Sequence, residues 1–209
     1  MFWPEITFDD GHISNYEIAL PVLASHGLFA AFFVTVGWTG KRPGYMGWEQ
    51  VRALHAAGQR IGAHGWTHTL LTHCDDNALR VELGGARLTL EDKLGTAITT
   101  MSLPGGRFNR RVLEACKEAG YTQVYTSIPR SEKTFSPFLV GRLNMRSSSG
   151  MESIARLLDP TSGMLAKLER QERWKTALKK TMGDRLYRKL WAALNRQEKS
   201  EDSGETPLP

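Results

Sequence analysis

The chain is short of cysteine, of long apolar runs and of late histidines, and each shortage removes a class of explanation. Cys74 and Cys116 are the only cysteines among 209 residues, and neither belongs to a CxxC pair. This excludes a zinc ribbon or a disulfide framework; two small thiols are expected, with a single bridge as the alternative. No apolar run approaches the ~18 residues that would cross a bilayer, so no transmembrane segment is expected. The start, Met1-Phe2-Trp3-Pro4-Glu5, has no basic stretch followed by an apolar core. No signal peptide is therefore expected, which alone would suggest the cytoplasm and leaves the location open. All six histidines fall between His12 and His73, so any imidazole chemistry must come from the first part of the chain. There is no internal repeat and no low-complexity tract.

What remains is ordinary in bulk and uneven in charge. A hydrophobic content of 41% over this length supports one sizeable core. Of the net charge of +5, residues 1–150 carry +2, residues 151–199 carry +6 and the last ten carry −3. The basic excess therefore belongs to the C-terminal third. It suits a solvated helix face, or contact with a membrane surface or an acidic protein; no nucleic-acid partner is expected.

Strand-like and helix-like segments alternate up to about residue 158. Strands are expected at Glu5–Asp9, Phe29–Val36, Arg60–Ala63, Ile98–Leu103, Gln123–Ser127 and Phe138–Met145. Helices are expected at Asn15–Ser25 with Ser14 or Asn15 as cap, and at Trp48–Ala57 ended by Gly58. Others run from the Asp75-Asp76 cap to Leu94, over Asn109–Ala119 up to Gly120, and near Met151–Leu158. Such alternation argues for parallel strands wrapped by helices, as an open sheet or a barrel. In a barrel, residues that follow the strands converge on one mouth.

From Ser162 the pattern changes to two amphipathic, basic helices. Met164, Leu165, Leu168, Trp174, Leu178 and Met182 form one stripe, and Leu186, Leu190 and Leu194 another. Residues 200–209 are acidic, contain Pro207 and Pro209, and are expected to be disordered. The chain thus divides into a catalytic-type unit over 1–158, a helical extension over 162–199, and a tail.

The densest chemistry sits at two places. Thr7-Phe8-Asp9-Asp10-Gly11 closes the first strand with two carboxylates, and Gly11 lets the backbone turn away. His64-Gly65-Trp66-Thr67-His68 follows the third strand with two imidazoles four residues apart. One carboxylate plus two imidazoles makes an O,N,N metal site, and the second carboxylate is left for proton transfer. The same donors could serve an iron(II) oxygenase, although no His-x-Asp pair occurs. His73 is a peripheral competitor as ligand. His12 and the aromatics Trp38, Tyr45 and Trp48 are candidates for the mouth, where an aromatic ring can stack on a sugar or simply fill a gap in the core. His26 and His55 lie near helix ends and are expected at the surface.

These motifs resemble those of polysaccharide deacetylases of the NodB-homology type, carbohydrate esterase family four. Residues 7–11 match the family's first motif in full. Residues 64–68 match the second, H-[S/T]-x-x-H, apart from Gly65 at the Ser/Thr position. Leu103-Pro104-Gly105-Gly106-Arg107-Phe108-Asn109, followed by Val112-Leu113-Glu114 and Ala119-Gly120-Tyr121, resembles the third-motif region. Ala30–Val36 resembles the family's second strand.

The resemblance covers about residues 5–145. It implies an α/β fold, a distorted (β/α) barrel, that removes N-acetyl groups from sugars or polysaccharides. It further implies that Asp10, His64 and His68 hold a divalent metal, zinc first with cobalt, nickel or iron as alternatives. Asp9 would be the general base, and Pro104, Gly105 and Gly106 the loop that offers an N–H to the oxyanion.

Three departures stand out. Ser102 occupies the place of the third-motif arginine that orients the base, with Arg107 nearby on a different loop position. No histidine follows His73 to act as general acid, which leaves a protonated Asp9 or His12 for that step. The Asp and Trp that support that histidine are also missing from Tyr121–Ile128. These gaps keep open a second reading, a catalytically impaired sugar-binding relative.

Overall fold

The computed structural model describes residues 4–130, 136–145, 149–159 and 161–174. Six parallel strands pair in sequence order: β1 (Ile6–Phe8), β2 (Ala30–Val34), β3 (Arg60–Ala63), β4 (Thr100–Ser102), β5 (Gln123–Tyr125) and β6 (Leu139–Val140). The sheet curls into a half-barrel with β1 and β6 as its two edges, unpaired among the described residues. Helices α2 (Trp48–Ala56), α4 (Ala86–Leu94) and α5 (Arg110–Glu118) connect successive strands and cover the outer face.

Alternation along each strand sorts its side chains between two faces. Phe32, Val34, Ile61, Ala63, Met101 and Val124 point outward into the main core, among Val51, Leu54, Leu79, Leu83, Leu90 and Val112 of the helices. Ala31, Phe33 and Tyr125 pack together on the inner face, with Val140 against them. β2 is buried on both faces throughout, as its unbroken apolar run requires. The same phase puts Asp9, His64 and Ser102 on the inner side, at the ends where the strands finish.

Regular ladders are shorter than the apolar patterns suggest. Leu139–Val140 is all that pairs of the expected strand over 138–145, and the segments around β4 and β5 shrink to three residues each. The missing positions that follow their strands, Leu103, Thr126 and Gly141 among them, lead into the loops at the mouth. The first helix begins as a π-helical turn, Asn15–Ala19, before α1 (Leu20–Ser25). Ser14 does not cap it; its hydroxyl pairs with His12 Nδ1 at 2.9 Å.

Asp75 does cap, accepting from Ala78 N–H at 2.8 Å. The helix it starts is interrupted, with α3 (Asp76–Leu79) passing through a π-helical segment, Arg80–Gly85, before α4. Both cysteines are free. α6 (Met151–Leu158) lies where expected. Residues 164–174 are helical, with Met164, Leu165 and Leu168 half-buried and Trp174 exposed. The second amphipathic helix and the acidic tail lie outside the described residues. No helix among the described residues is long and apolar enough to cross a membrane.

Candidate active site

Asp10, His64 and His68 meet at the C-terminal ends of β1 and β3. Their ligand atoms lie within 4.8 Å of one another, the only such group of three among the described residues. Asp10 Oδ1 stands 3.2 Å from His64 Nε2 and 3.1 Å from His68 Nε2. That oxygen is buried, yet no donor is aligned to hydrogen-bond it. Three donor atoms crowded at one point without a hydrogen bond between them suit a divalent cation held by all three.

The backbone is bent to achieve this. Among the described residues only Asp10 (φ 72°) and His68 (φ 63°) adopt positive φ without being glycine. Each such conformation costs on the order of 1–3 kcal/mol, so surrounding contacts must hold it in place. Both are members of the triad.

Both histidines are braced. His64 is almost fully buried, and its Nδ1 donates to the Ser102 carbonyl at 2.7 Å. A carbonyl only accepts, so this bond puts a proton on Nδ1 and turns Nε2 toward Asp10, the nitrogen whose lone pair is available to an ion once it is unprotonated. The loop between the two histidines is gripped by Glu82, which accepts from Trp66 N–H at 2.7 Å, Thr67 N–H at 3.0 Å and the Thr67 hydroxyl at 2.5 Å. Glu82 is buried inside the π-helical segment, a geometry that often marks functional sites. Gly65 is needed here. At φ 76° it turns the loop, and a Cβ would stand 2.8 Å from Glu82 Oε2. Trp38 packs its ring 5.0 Å from that of His68.

Asp9 has different company. Arg142 forks onto it, Nη1 to Oδ1 and Nη2 to Oδ2, both at 2.7 Å, and the Ser102 hydroxyl donates to Oδ2 at 3.1 Å. Asp9 Oδ2 keeps 4.0 Å from His64 Nε2.

Charge follows this division. Burial is the largest single influence on the Asp9 carboxyl and pushes it up. Arg142 by hydrogen bond, the charges of His64 and Arg142, and Ser102 together outweigh it and hold the group below its ordinary value. Asp10 is held far below the usual carboxylate range by contact with His64 and then His68. In return Asp10 raises His68 above its ordinary value.

The remaining candidates are placed as follows. The loop Pro104–Gly106 turns with Gly105 at φ 64°, and the Gly106 N–H is engaged by the Leu103 carbonyl at 2.8 Å. Trp38 stacks edge-on against Tyr45 at 4.7 Å, and the Arg42 guanidinium lies 4.2 Å from the Trp38 ring. His12 is exposed and flanks Tyr45. Trp48 packs against the main core instead of joining this cluster. His73 ends a short turn, exposed and outside the triad. Arg107 is exposed and is not the arginine on Asp9.

Sequence reasoning missed Arg142 and Glu82. Arg142 lies 133 residues from its partner, and nothing local marks it. Glu82 left a faint signal, an acid on the same helical stripe as the buried Leu79, Leu83 and Ala86.

With the geometry known, comparison with known proteins is direct. A family profile described as polysaccharide deacetylase matches residues 5–124, more than half the chain. A chitooligosaccharide deacetylase of Rhizobium leguminosarum bv. trifolii is 31% identical over 126 residues, covering 59% of this chain and 55% of that protein. A chitin deacetylase of Pestalotiopsis sp is 28% identical over 123 residues, covering 59% and 41% respectively. The chain spans about half the length of the curated relatives it matches. The Streptococcus pyogenes deacetylase PplD, solved with acetate, shares the fold at a TM-score of 0.70 and 20% identity, over 75% of this chain and 70% of its own. The chain belongs to the polysaccharide deacetylase family.

Proposed function

We propose that this protein is a metal-dependent hydrolase that removes N-acetyl groups from an N-acetylated carbohydrate. The observation that carries this is the split between two adjacent aspartates, with Asp10 between two imidazoles and Asp9 forked by Arg142. Family membership and the names of the chitin and chitooligosaccharide deacetylases support the reaction class.

Asp10, His64 and His68 would hold the ion, zinc in first place. A divalent cation there supplies Lewis acidity to the acetamide carbonyl and makes water nucleophilic near neutral pH. Asp9 accepts the proton as the water oxygen bonds to the carbonyl carbon. As the C–N bond breaks, Asp9 returns that proton to the departing nitrogen, so a free amine and acetic acid leave, the acid then ionising to acetate in solvent. Without a late histidine, one carboxylate performs both transfers. The Gly105 N–H is assigned to the developing oxyanion. Trp38, held between Tyr45, His68 and the Arg42 guanidinium, is assigned a contact with the sugar beside His68.

The test is acetate release from purified protein on chitin oligomers, peptidoglycan and lipid-linked N-acetylglucosamine, with and without a chelator. Release that a chelator abolishes and zinc restores is expected. Chelator-insensitive release would overturn the metal assignment, and sugar binding with no release on any substrate would favour the impaired relative.

A further inference from the structure

The loop that follows β2, residues 35–47, carries Lys41 and Arg42 and no acid. Met46 N–H donates to the Gly11 carbonyl and Ile13 N–H to the Gly44 carbonyl, each at 2.9 Å, which pins this loop to the residues just after Asp10. Within it, the Trp38 carbonyl accepts from Lys41 N–H at 3.0 Å and from Arg42 N–H at 2.9 Å, turning the chain back over Trp38. The Arg42 guanidinium lies 4.2 Å from the centre of the Trp38 ring and 4.8 Å from that of Tyr45, and the two rings are inclined at 63°. It sits in an aromatic cradle.

Stacking engages only the face of a guanidinium and leaves its N–H groups pointing outward in the plane. Among the described residues, those of Arg42 meet no hydrogen-bond acceptor and no carboxylate, and the residue is exposed. Arg142, by contrast, directs its donors to Asp9, Ser102, Thr7 and Thr126. A guanidinium held flat with its edge in water is prepared for an oxyanion, because little rotamer freedom remains to be lost. Trp38 also touches the His68 ring, 5.0 Å away, so one indole separates Arg42 from the triad.

Charge along the rim agrees. The loops that leave the strands at the mouth carry Lys41, Arg42, Arg107, Arg130 and Arg142. Their acids are already engaged: Asp9 by Arg142, Asp10 by two imidazoles, Asp75 as a helix cap. The loops that enter β2 to β5, residues 26–29, 57–59, 95–99 and 119–122, hold no Lys, Arg, Asp or Glu. Positive charge is therefore gathered at the mouth, where its field draws anions toward the opening.

We propose that Arg42 is a substrate-binding residue that selects N-acetylated sugars bearing an oxyanion, a phosphate or a carboxylate, seated on its outward edge while the acetamide lies at the triad.

This rests on the metal-hydrolase reading above and narrows its substrate class, since an uncharged chitin oligomer offers the guanidinium no anion. The experiment measures acetate release from N-acetylglucosamine 1-phosphate, from a disaccharide containing N-acetylmuramic acid, and from uncharged chitobiose. Zinc-loaded wild type is compared with Arg42→Gln, Arg42→Lys and Arg52→Gln, and binding of the same sugars is followed by calorimetry. Wild type should favour a charged sugar over chitobiose in kcat/KM, and added salt should shrink that preference. Arg42→Gln should lower the preference about 10–100-fold through KM, and weaken binding of the charged sugar alike. Arg42→Lys should fall between, having the charge without the fork. Arg52→Gln, which removes the same charge from the exposed side of α2, should keep the wild-type preference. Whichever charged sugar leads identifies phosphate or carboxylate as the group bound. Preference for chitobiose, or an equal loss in Arg42→Gln and Arg52→Gln or in neither, would overturn the proposal and leave the hydrolase reading intact. Binding of a charged sugar that depends on Arg42, with no acetate released from any of the three, would overturn the hydrolase reading alone. Neither binding nor release would overturn both.

Discussion

Asp9 and Asp10 are consecutive residues, yet they occupy opposite electrostatic settings. Asp9 ends the extended run of β1 and faces an arginine and a serine; Asp10 takes a left-handed backbone turn and faces two imidazoles. The turn is what separates them. In a regular strand, successive side chains point to opposite faces. The positive φ of Asp10 brings its carboxylate back to the mouth beside Asp9, so one dipeptide serves a metal and a proton. The lesson is that chemical role here is set by backbone torsion and by distant partners, not by residue type.

That contrast can be broken at several strengths. The largest effect belongs to the ligand side: Asp10→Asn or His64→Ala should abolish measurable zinc uptake, and with it acetate release, as read by metal analysis after dialysis. Asp9→Asn should keep full metal stoichiometry and lower turnover by roughly 10²–10⁴-fold, since only the proton acceptor is removed. Full activity in that variant would reverse the two assignments. Glu82→Gln should weaken zinc binding by about 10–100-fold without altering Asp9, because it loosens only the loop that carries the histidines. Competition with a chromophoric chelator would measure it.

Acidity sharpens the same comparison. Asp10 holds His68 above its ordinary pKa of 6.5, so in ion-free protein a proton competes with the metal for that nitrogen. Zinc affinity should therefore climb as pH rises past 6.5 and level off only above the raised value. The sign for stability is opposite. The His68–Asp10 contact supports the ion-free fold fully below 6.5 and is lost as pH rises through the raised value, which melting of the chelated protein would detect. The smallest effect is expected from Trp38→Ala, a rise in KM of about 2–10-fold with kcat nearly unchanged.

Much of this was legible beforehand, for a physical reason. The strand-end positions of Asp9, Asp10, His64 and His68 follow from local signals: an apolar run, a period of two, and a glycine where the chain must turn. Parallel strands wrapped by helices follow from alternating runs of the right lengths, which leave open sheet or barrel undecided; the barrel came from the family resemblance. What could not be read were contacts closed over long sequence separations. The Arg142–Asp9 fork joins the first and last strands, and only the curl of the sheet brings them together. The π-helical segments escaped because their apolar spacing remains compatible with an ordinary α-helix. Strand ends were overextended for the opposite reason: a residue such as Ile98 is apolar because it is buried, not because it pairs, and its N–H goes to the Glu91 carboxylate.

The unpaired edge between β1 and β6 carries a last implication. Elsewhere neighbouring strands are stitched by backbone bonds that tolerate almost any side chain, but at this gap the stitching falls to individual side chains. The guanidinium that latches the rim also touches the reacting carboxylate. Any disturbance that pries the gap apart, by a graft into the loop before β6 or by tension on the segment that follows it, is therefore transmitted directly to proton transfer.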